Sequence, residues 1–197
     1  MGLHQAGYEV VGVDIKPQPS YPFEFIQANA LTADLSGFDF VWASPPCQKF
    51  TAYRRKGHGV GDGYLDLIPD TRKLLCVAKA WVIENVPGAP LRDPIRLCGS
   101  SFGLNIRRHR IFETSHVLTP PPCNHAWQKP RYPAATNRAP MSRCTVEIGV
   151  WRIPLSTQQA AMGIDWMGIQ ELSQAVPPAY SEWIATSVLR ASEEGQA

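Results

Sequence analysis

Residues 38–48 read FDFVWASPPCQ, a short apolar run, then Ser44-Pro45-Pro46, then Cys47. A run of this length and type predicts a buried strand. The two prolines stiffen the turn after it and fix where the Cys47 sulfur points. A cysteine at the carboxyl end of a strand in an open α/β sheet stands where such sheets bind ligands. Two further runs of the same kind lie on either side: YEVVGVDI (residues 8–15), ending near Asp14, and AWVIENV (residues 80–86), carrying Glu84. None alternates cleanly, which fits a parallel sheet covered on both faces. Between them, LDLIPDTRKLLCVA (residues 65–78) has an apolar face at helical spacing, with Pro69-Asp70 near its start. Strand, crossover and strand in this order predict a Rossmann-like α/β sheet.

After Val86 the texture changes. RHRIFETS (residues 108–115) and TVEIGVWRI (residues 145–153) both predict strands. Pro120, Pro121, Pro122, Pro130, Pro133 and Pro140 punctuate the stretch between them, which is too long for an ordinary connection. Residues 156–163 predict a capped helix start, and residues 179–191, after Val176-Pro177-Pro178, a C-terminal helix.

Composition narrows the class. A chain of 197 residues, 44% hydrophobic and 18% charged, builds one α/β domain with a real core. The longest apolar stretch, residues 74–86, is interrupted by Lys79, Glu84 and Asn85, so no membrane span is expected. No basic segment followed by an apolar one opens the chain. Five cysteines without a C-x-x-C pair argue against a disulfide framework and for a reducing, cytoplasmic setting. Net charge is only +2, yet residues 104–145 hold seven cations against one anion, Glu113. Such a segment suits a polyanion met by one face; the plain alternative is a solvated basic loop.

Four features carry chemistry. Cys47 is a nucleophile if positive charge lowers its pKa, and Arg54, Arg55 and Lys56 follow closely. The plain alternative is a structural cysteine in a tight loop. Glu84 places a carboxylate at the same sheet edge, costly to desolvate unless paired or protonated. A thiol and an acid at the ends of two strands could clamp a planar heterocycle. Asp14 ends a strand where an acid commonly accepts hydrogen bonds from a ribose. Arg107-Arg108-His109-Arg110 could reach phosphates or a substrate edge. His116, Cys123 and His125, with Cys98 and Cys144, offer zinc ligands, but their spacing matches no common zinc pattern and no metal is expected.

Together, and in this order, these residues resemble the DNA cytosine-5 methyltransferases. GLHQAGYEVVGVDI (residues 2–15) looks like the end of that family's first helix and its second strand. SPPCQ resembles the catalytic loop motif, ENV the carboxylate motif, and RRHRIF the arginine motif. AAMGIDWM and ELSQAVPPAYSEWI resemble the two closing motifs. The resemblance implies a Rossmann-like sheet, S-adenosyl-L-methionine as cofactor and double-stranded DNA as partner. It implies that Cys47, Glu84, Arg108 and Arg110 are catalytic. Asp14, Ile15, Asn29, Ala30, Pro45, Gln174 and Val176 would bind cofactor. Gln48, Arg54, Arg55, Lys56 and Arg107 would bind DNA. The loop from Gln48 to Asp62, with its glycines, reads as a lid over a flipped base.

The same resemblance divides the chain into a catalytic core over residues 1–115, a short target-recognition insert over 116–144 and a closing part of the core over 145–197. A compact, monomeric phage or restriction–modification enzyme is implied. Some positions depart from the family pattern. Its first strand and glycine-rich turn have no counterpart, since Met1-Gly2 falls in the helix after them. Ile106 stands where a Gln is usual, and Ser173-Gln174-Ala175 where Gly-Asn precedes Val-Pro. Asn29 stands where an Asp often bonds adenine. The alternative reading is an impaired, truncated methyltransferase-like protein that still binds DNA. A nicotinamide dehydrogenase lacks its G-x-G-x-x-G, and a thiol hydrolase lacks an ordered His.

Overall fold

The computed structural model describes residues 1–51, 64–126, 128 and 145–194. The apolar runs read from sequence become strands β1 (Val11–Asp14), β3 (Val41–Ala43), β4 (Trp81–Asn85) and β6 (Arg110–Thr114). Two short strands join them, β2 (Glu24–Gln27) and β5 (Ile95–Leu97). β1 and β2 form a parallel pair, and the other four form a sheet in the order β3-β4-β6-β5. β3 and β4 are parallel, but β6 runs antiparallel to both β4 and β5. The all-parallel sheet expected from the apolar runs is therefore corrected to a mixed one. Neither link around β5, residues 86–94 or 98–109, contains an α-helix. A crossover helix is what normally returns a chain to begin a parallel neighbour.

Each face of the sheet has its own cover. On one side lies α5 (Pro178–Glu194). Its Tyr180, Ile184 and Val188 pack against Phe40, Val82, Leu97 and Phe112. Short α1 (Gly2–Gln5) lies close on α5; a Cβ at Gly2 would fall 2.1 Å from the Pro178 carbonyl oxygen, so only glycine fits there. On the other side, Ile68 of α2 (Ile68–Leu75) packs with Ala89 and Ile111. Adjacent residues Ile111 and Phe112 thus serve opposite faces, as the two-residue period of a strand requires. Burying a side chain such as Phe112 contributes about 2–3 kcal/mol. Helices α3 (Leu155–Met162) and α4 (Ile169–Gln174) close a second cluster around Ile106, Val146, Ile153, Met162 and Leu172.

Two local expectations are corrected. Residues 145–153 form no strand. The fully buried Gln158 satisfies their backbone instead, accepting from Gly149 N at 2.7 Å and donating to Val150 O at 3.0 Å and Ile153 O at 2.8 Å. Helix α3 begins at Leu155, one residue before Ser156, with no side-chain cap. The lid loop's Arg54, Arg55 and Lys56, and the insert from Lys129 to Cys144, lie outside the described residues. Among the described residues no helix is long and apolar enough to cross a membrane.

One ion pair ties α2 to the sheet. Arg72 donates from Nε and Nη2 to the two oxygens of Glu113, both at 2.7 Å, and Arg92 N adds a third bond at 2.8 Å. Burial alone would raise the Glu113 carboxyl, but these hydrogen bonds and the Arg72 charge outweigh it and hold it low. Arg72→Ala strips the buried carboxylate of its bidentate partner, leaving it the Arg92 N hydrogen bond, and is expected to cost about 3 kcal/mol in urea unfolding at neutral pH. The pair's contribution is complete above the ordinary carboxyl value of 4.5 and fades as pH falls through the depressed one. Wild-type and variant stabilities should therefore converge in acid; a gap that stays constant with pH contradicts this assignment.

Candidate active site

Strand register brings the site together. Ala43 pairs with Ile83, so Ser44, the first residue past β3, lies level with Glu84 on the parallel neighbour. On the antiparallel side Glu84 pairs with Phe112. Arg110 is two residues from Phe112, hence on the same face as Glu84 and one diagonal step away. A long side chain bridges that step: Arg110 Nε lies 3.0 Å from Glu84 Oε1, with side-chain exposures of 14% and 10%. Ser44 also hydrogen-bonds the Glu84 carboxylate. Burial pushes the Glu84 carboxyl above the usual carboxylate range, while Arg110, the Ser44 hydrogen bond and Arg108 pull the other way.

The loop bearing Cys47 is fastened to the same edge. Asn85, wholly buried, donates from Nδ2 to Pro45 O at 2.9 Å and accepts from Val86 N at 2.9 Å. Trp42 Nε1 donates to Ser44 Oγ at 3.1 Å. Cys47 itself is half-buried. Burial raises its thiol pKa first, the Glu84 charge second, and Arg110 and Arg108 lower it. A thiol that senses all three of these groups sits in one electrostatic unit with them. A proton on Glu84 removes the negative charge that disfavours the Cys47 thiolate, so the two titrations are linked.

The arginines divide the work. Arg108, at φ 32°, donates from Nε to Ala175 O at 2.9 Å. Its Nη2 reaches Leu172 O at 3.2 Å, Ser173 O at 2.8 Å and Ala175 O at 2.7 Å. Three carbonyls at the end of α4 thus hold Arg108, and it draws Gln174 and Val176 in beside the arginine strand. Burial pushes its guanidinium down to about 9, so it remains a cation at neutral pH. Tyr180 OH, fully buried, donates to Arg108 O at 3.0 Å and Arg107 O at 3.3 Å, fixing the chain just before β6. Arg110 is the arginine that faces the carboxylate. Arg107 is exposed, with Nη2 3.4 Å from Gln128 O.

At the carboxyl ends of β1 and β2 lie the residues expected to meet cofactor. Asp14 accepts from Lys16 N at 2.8 Å and Gln18 Nε2 at 3.2 Å, leaving carboxylate lone pairs unused. Ile15 beside it is an apolar side chain 68% exposed, a surface an adenine would cover. Asn29 accepts from Leu31 N at 3.0 Å and caps the short helical turn that begins at Ala30. An acid with unused lone pairs beside an exposed apolar side chain is a pairing that can take a ribose hydroxyl and a planar base. Gln48 is exposed in the turn following Cys47. Sequence reasoning assigned no role to Ser44, Asn85 or Tyr180. All three stand inside motifs visible in the sequence, Ser44 in SPPCQ, Asn85 in ENV and Tyr180 in ELSQAVPPAYSEWI, but what each side chain holds emerges only from tertiary contacts.

No family model matches the chain, and no curated protein does. Among solved structures it is similar to a mutant of DNMT2 from Spodoptera frugiperda, with a TM-score of 0.57 and 14% identity. That alignment covers 95% of this chain and 96% of the other. The chain therefore shares that structure's fold, a Rossmann-like mixed α/β arrangement with parallel pairs.

The linkage between acid and thiol can be measured without any substrate. Glu84→Gln removes the carboxylate that raises Cys47 and leaves Arg110 unneutralised. The pH profile of Cys47 alkylation by iodoacetamide should shift to lower pH, followed by peptide mass spectrometry. An unmoved profile would separate the two groups and dissolve the site.

Proposed function

We propose that the chain is a DNA cytosine-5 methyltransferase using S-adenosyl-L-methionine. The supporting observation is the convergence, at one sheet edge, of a half-buried thiol, a buried carboxyl and an arginine in contact with it. Few reactions need that trio. A pyrimidine ring is poorly nucleophilic at C5, and addition of a thiolate to C6 makes C5 electron-rich. A proton held at N3 takes up the charge that addition creates.

Each residue follows from this. The cytosine has to leave the stack, because C5 and C6 are out of reach within it. Cys47, as thiolate, forms a bond to C6; the π electrons of the C5–C6 double bond shift onto C5 and through C4 toward N3, which takes a proton. Glu84 holds the proton at N3; its burial suits it to keep a proton that an exposed carboxyl would release. Arg110 neutralises the carboxylate whenever that proton has left. Arg108 is a positioning residue, holding the chain around residues 172–176 against the site. S-adenosyl-L-methionine, when bound by Asp14 and Ile15 with Asn29 and Ala30 nearby, supplies the methyl group that C5 accepts. A base then takes the C5 proton, the freed electron pair re-forms the C5–C6 double bond, Cys47 leaves as the thiolate, and the N3 proton returns to Glu84.

Double-stranded DNA is the proposed partner, met by the basic residues within 104–145 together with Gln48, Arg54, Arg55 and Lys56. The proposed setting is a phage or restriction–modification system, with a monomer acting in the cytoplasm. Transfer of a tritiated methyl group to duplex DNA tests the reading. Cys47→Ser should abolish transfer, and Glu84→Gln should slow it by about 10²–10⁴-fold. Wild-type rates in Cys47→Ser, or no transfer by the wild-type chain, would overturn it.

A further inference from the structure

Two cysteines and two histidines converge outside the site just described. Cys98 follows β5, His109 directly precedes β6, and Cys123 and His125 lie on the proline-rich loop beyond β6. Cys98 Sγ is 3.2 Å from His125 Nε2, and Cys123 Sγ is 3.5 Å from His109 Nε2. The four potential ligand atoms all lie within 4.8 Å of one another. A tetrahedral zinc ion, with sulfur at about 2.3 Å and nitrogen at about 2.0–2.1 Å, spaces its ligand atoms about 3.3–3.8 Å apart. The Cys123–His109 distance already falls in that range, and the Cys98–His125 distance lies about 0.1 Å below it. The imidazoles face each other edge-on, with centroids 5.2 Å apart.

The surroundings fit a metal site as well. Ser100 Oγ donates to Cys98 Sγ at 3.1 Å and accepts from Asn124 N at 3.0 Å, a supporting contact of the kind that orients ligands. Ser101 Oγ donates to Pro122 O at 2.9 Å. Gln128 Nε2 reaches Ile106 O at 3.0 Å. The loop is thus already docked on residues 98–106 on both sides of the cluster. Among the four ligands there is no oxygen donor, which disfavours magnesium and calcium and suits a closed structural zinc site.

We infer that Cys98, His109, Cys123 and His125 bind one structural zinc ion, fastening the proline-rich loop to the ends of β5 and β6. Binding releases the two thiol protons to solvent and forms two zinc–sulfur and two zinc–nitrogen bonds. No redox partner is needed. Because His109 stands between Arg108 and Arg110, the ion also pins the start of the arginine strand. His116 is not part of the set: its ring lies by Ser115 Oγ at 2.9 Å and Ser192 Oγ at 3.4 Å. Cys144, the other sequence candidate, lies outside the described residues.

Elemental analysis of the whole chain, purified with a reductant and no chelator from zinc-supplemented medium, tests the inference. About one zinc per chain is expected. Cobalt(II) exchanged into the wild type should give the intense visible bands of a tetrahedral site with thiolate charge transfer. Cys98→Ser and His125→Asn should lose the metal. Cys123→Ser, an exposed position that folding tolerates, should lose it too, while His116→Asn keeps it. Wild-type protein with less than about a tenth of an equivalent of zinc and no cobalt bands would overturn the assignment. So would a Cys98–Cys123 disulfide in protein isolated without reductant, or retention of zinc by Cys123→Ser.

Discussion

The buried Glu84 carboxyl governs the arrangement of this protein. A carboxylate at this depth has to be paired or protonated, and the fold provides for both states. Arg110 supplies the pairing at 3.0 Å, and burial favours the protonated form. The register between β4 and β6 follows from the same need. A slip of one residue would carry Arg110 to the α2 face and leave the carboxylate alone. Phe112 and Val82, in the core under α5, hold that register by packing, so the hydrophobic effect stabilises the position of a charge pair that adds little stability itself.

Around this pair, backbone groups are used as fasteners. Asn85 holds the Pro45 carbonyl, Tyr180 holds the carbonyls of Arg107 and Arg108, and Arg108 holds those of Leu172, Ser173 and Ala175. Three segments far apart in sequence are thereby tied to one sheet edge. Asn85 and Tyr180 are fully buried and Arg108 partly so, and each is bonded to main chain, which constrains position more tightly than contact between two flexible side chains. Cys47 consequently shares one electrostatic environment with Glu84 and the arginines.

Much of this was legible in the sequence, for identifiable reasons. Residues 38–48 and 80–86 announce strand ends because an apolar run stops at a proline pair or an acid. The thiol and the carboxyl are visible there because few other reactive residues stand at strand ends. The direction of β6 is not legible, since a two-residue period is the same for parallel and antiparallel strands. Residues 145–153 have strand composition, and only the buried Gln158, which satisfies their backbone, makes them a loop. β5 is three residues long with an arginine in the middle, too short for a pattern. In the sequence, His109 shows only as part of an arginine motif. Its approach to Cys123 depends on where the chain goes after β6, which no local spacing encodes.

The central claim is that Cys47 and Glu84 act on a single extruded pyrimidine. A duplex carrying 5-fluorocytosine, incubated with the wild-type chain and S-adenosyl-L-methionine, tests it most directly, because fluorine at C5 cannot leave as a proton and the adduct persists. The account predicts a stable protein–DNA complex on denaturing gels, with the added mass mapping by proteolysis and mass spectrometry to Cys47. A nucleotide attached to any other residue, or no adduct from protein shown to bind both the duplex and S-adenosyl-L-methionine, would contradict it.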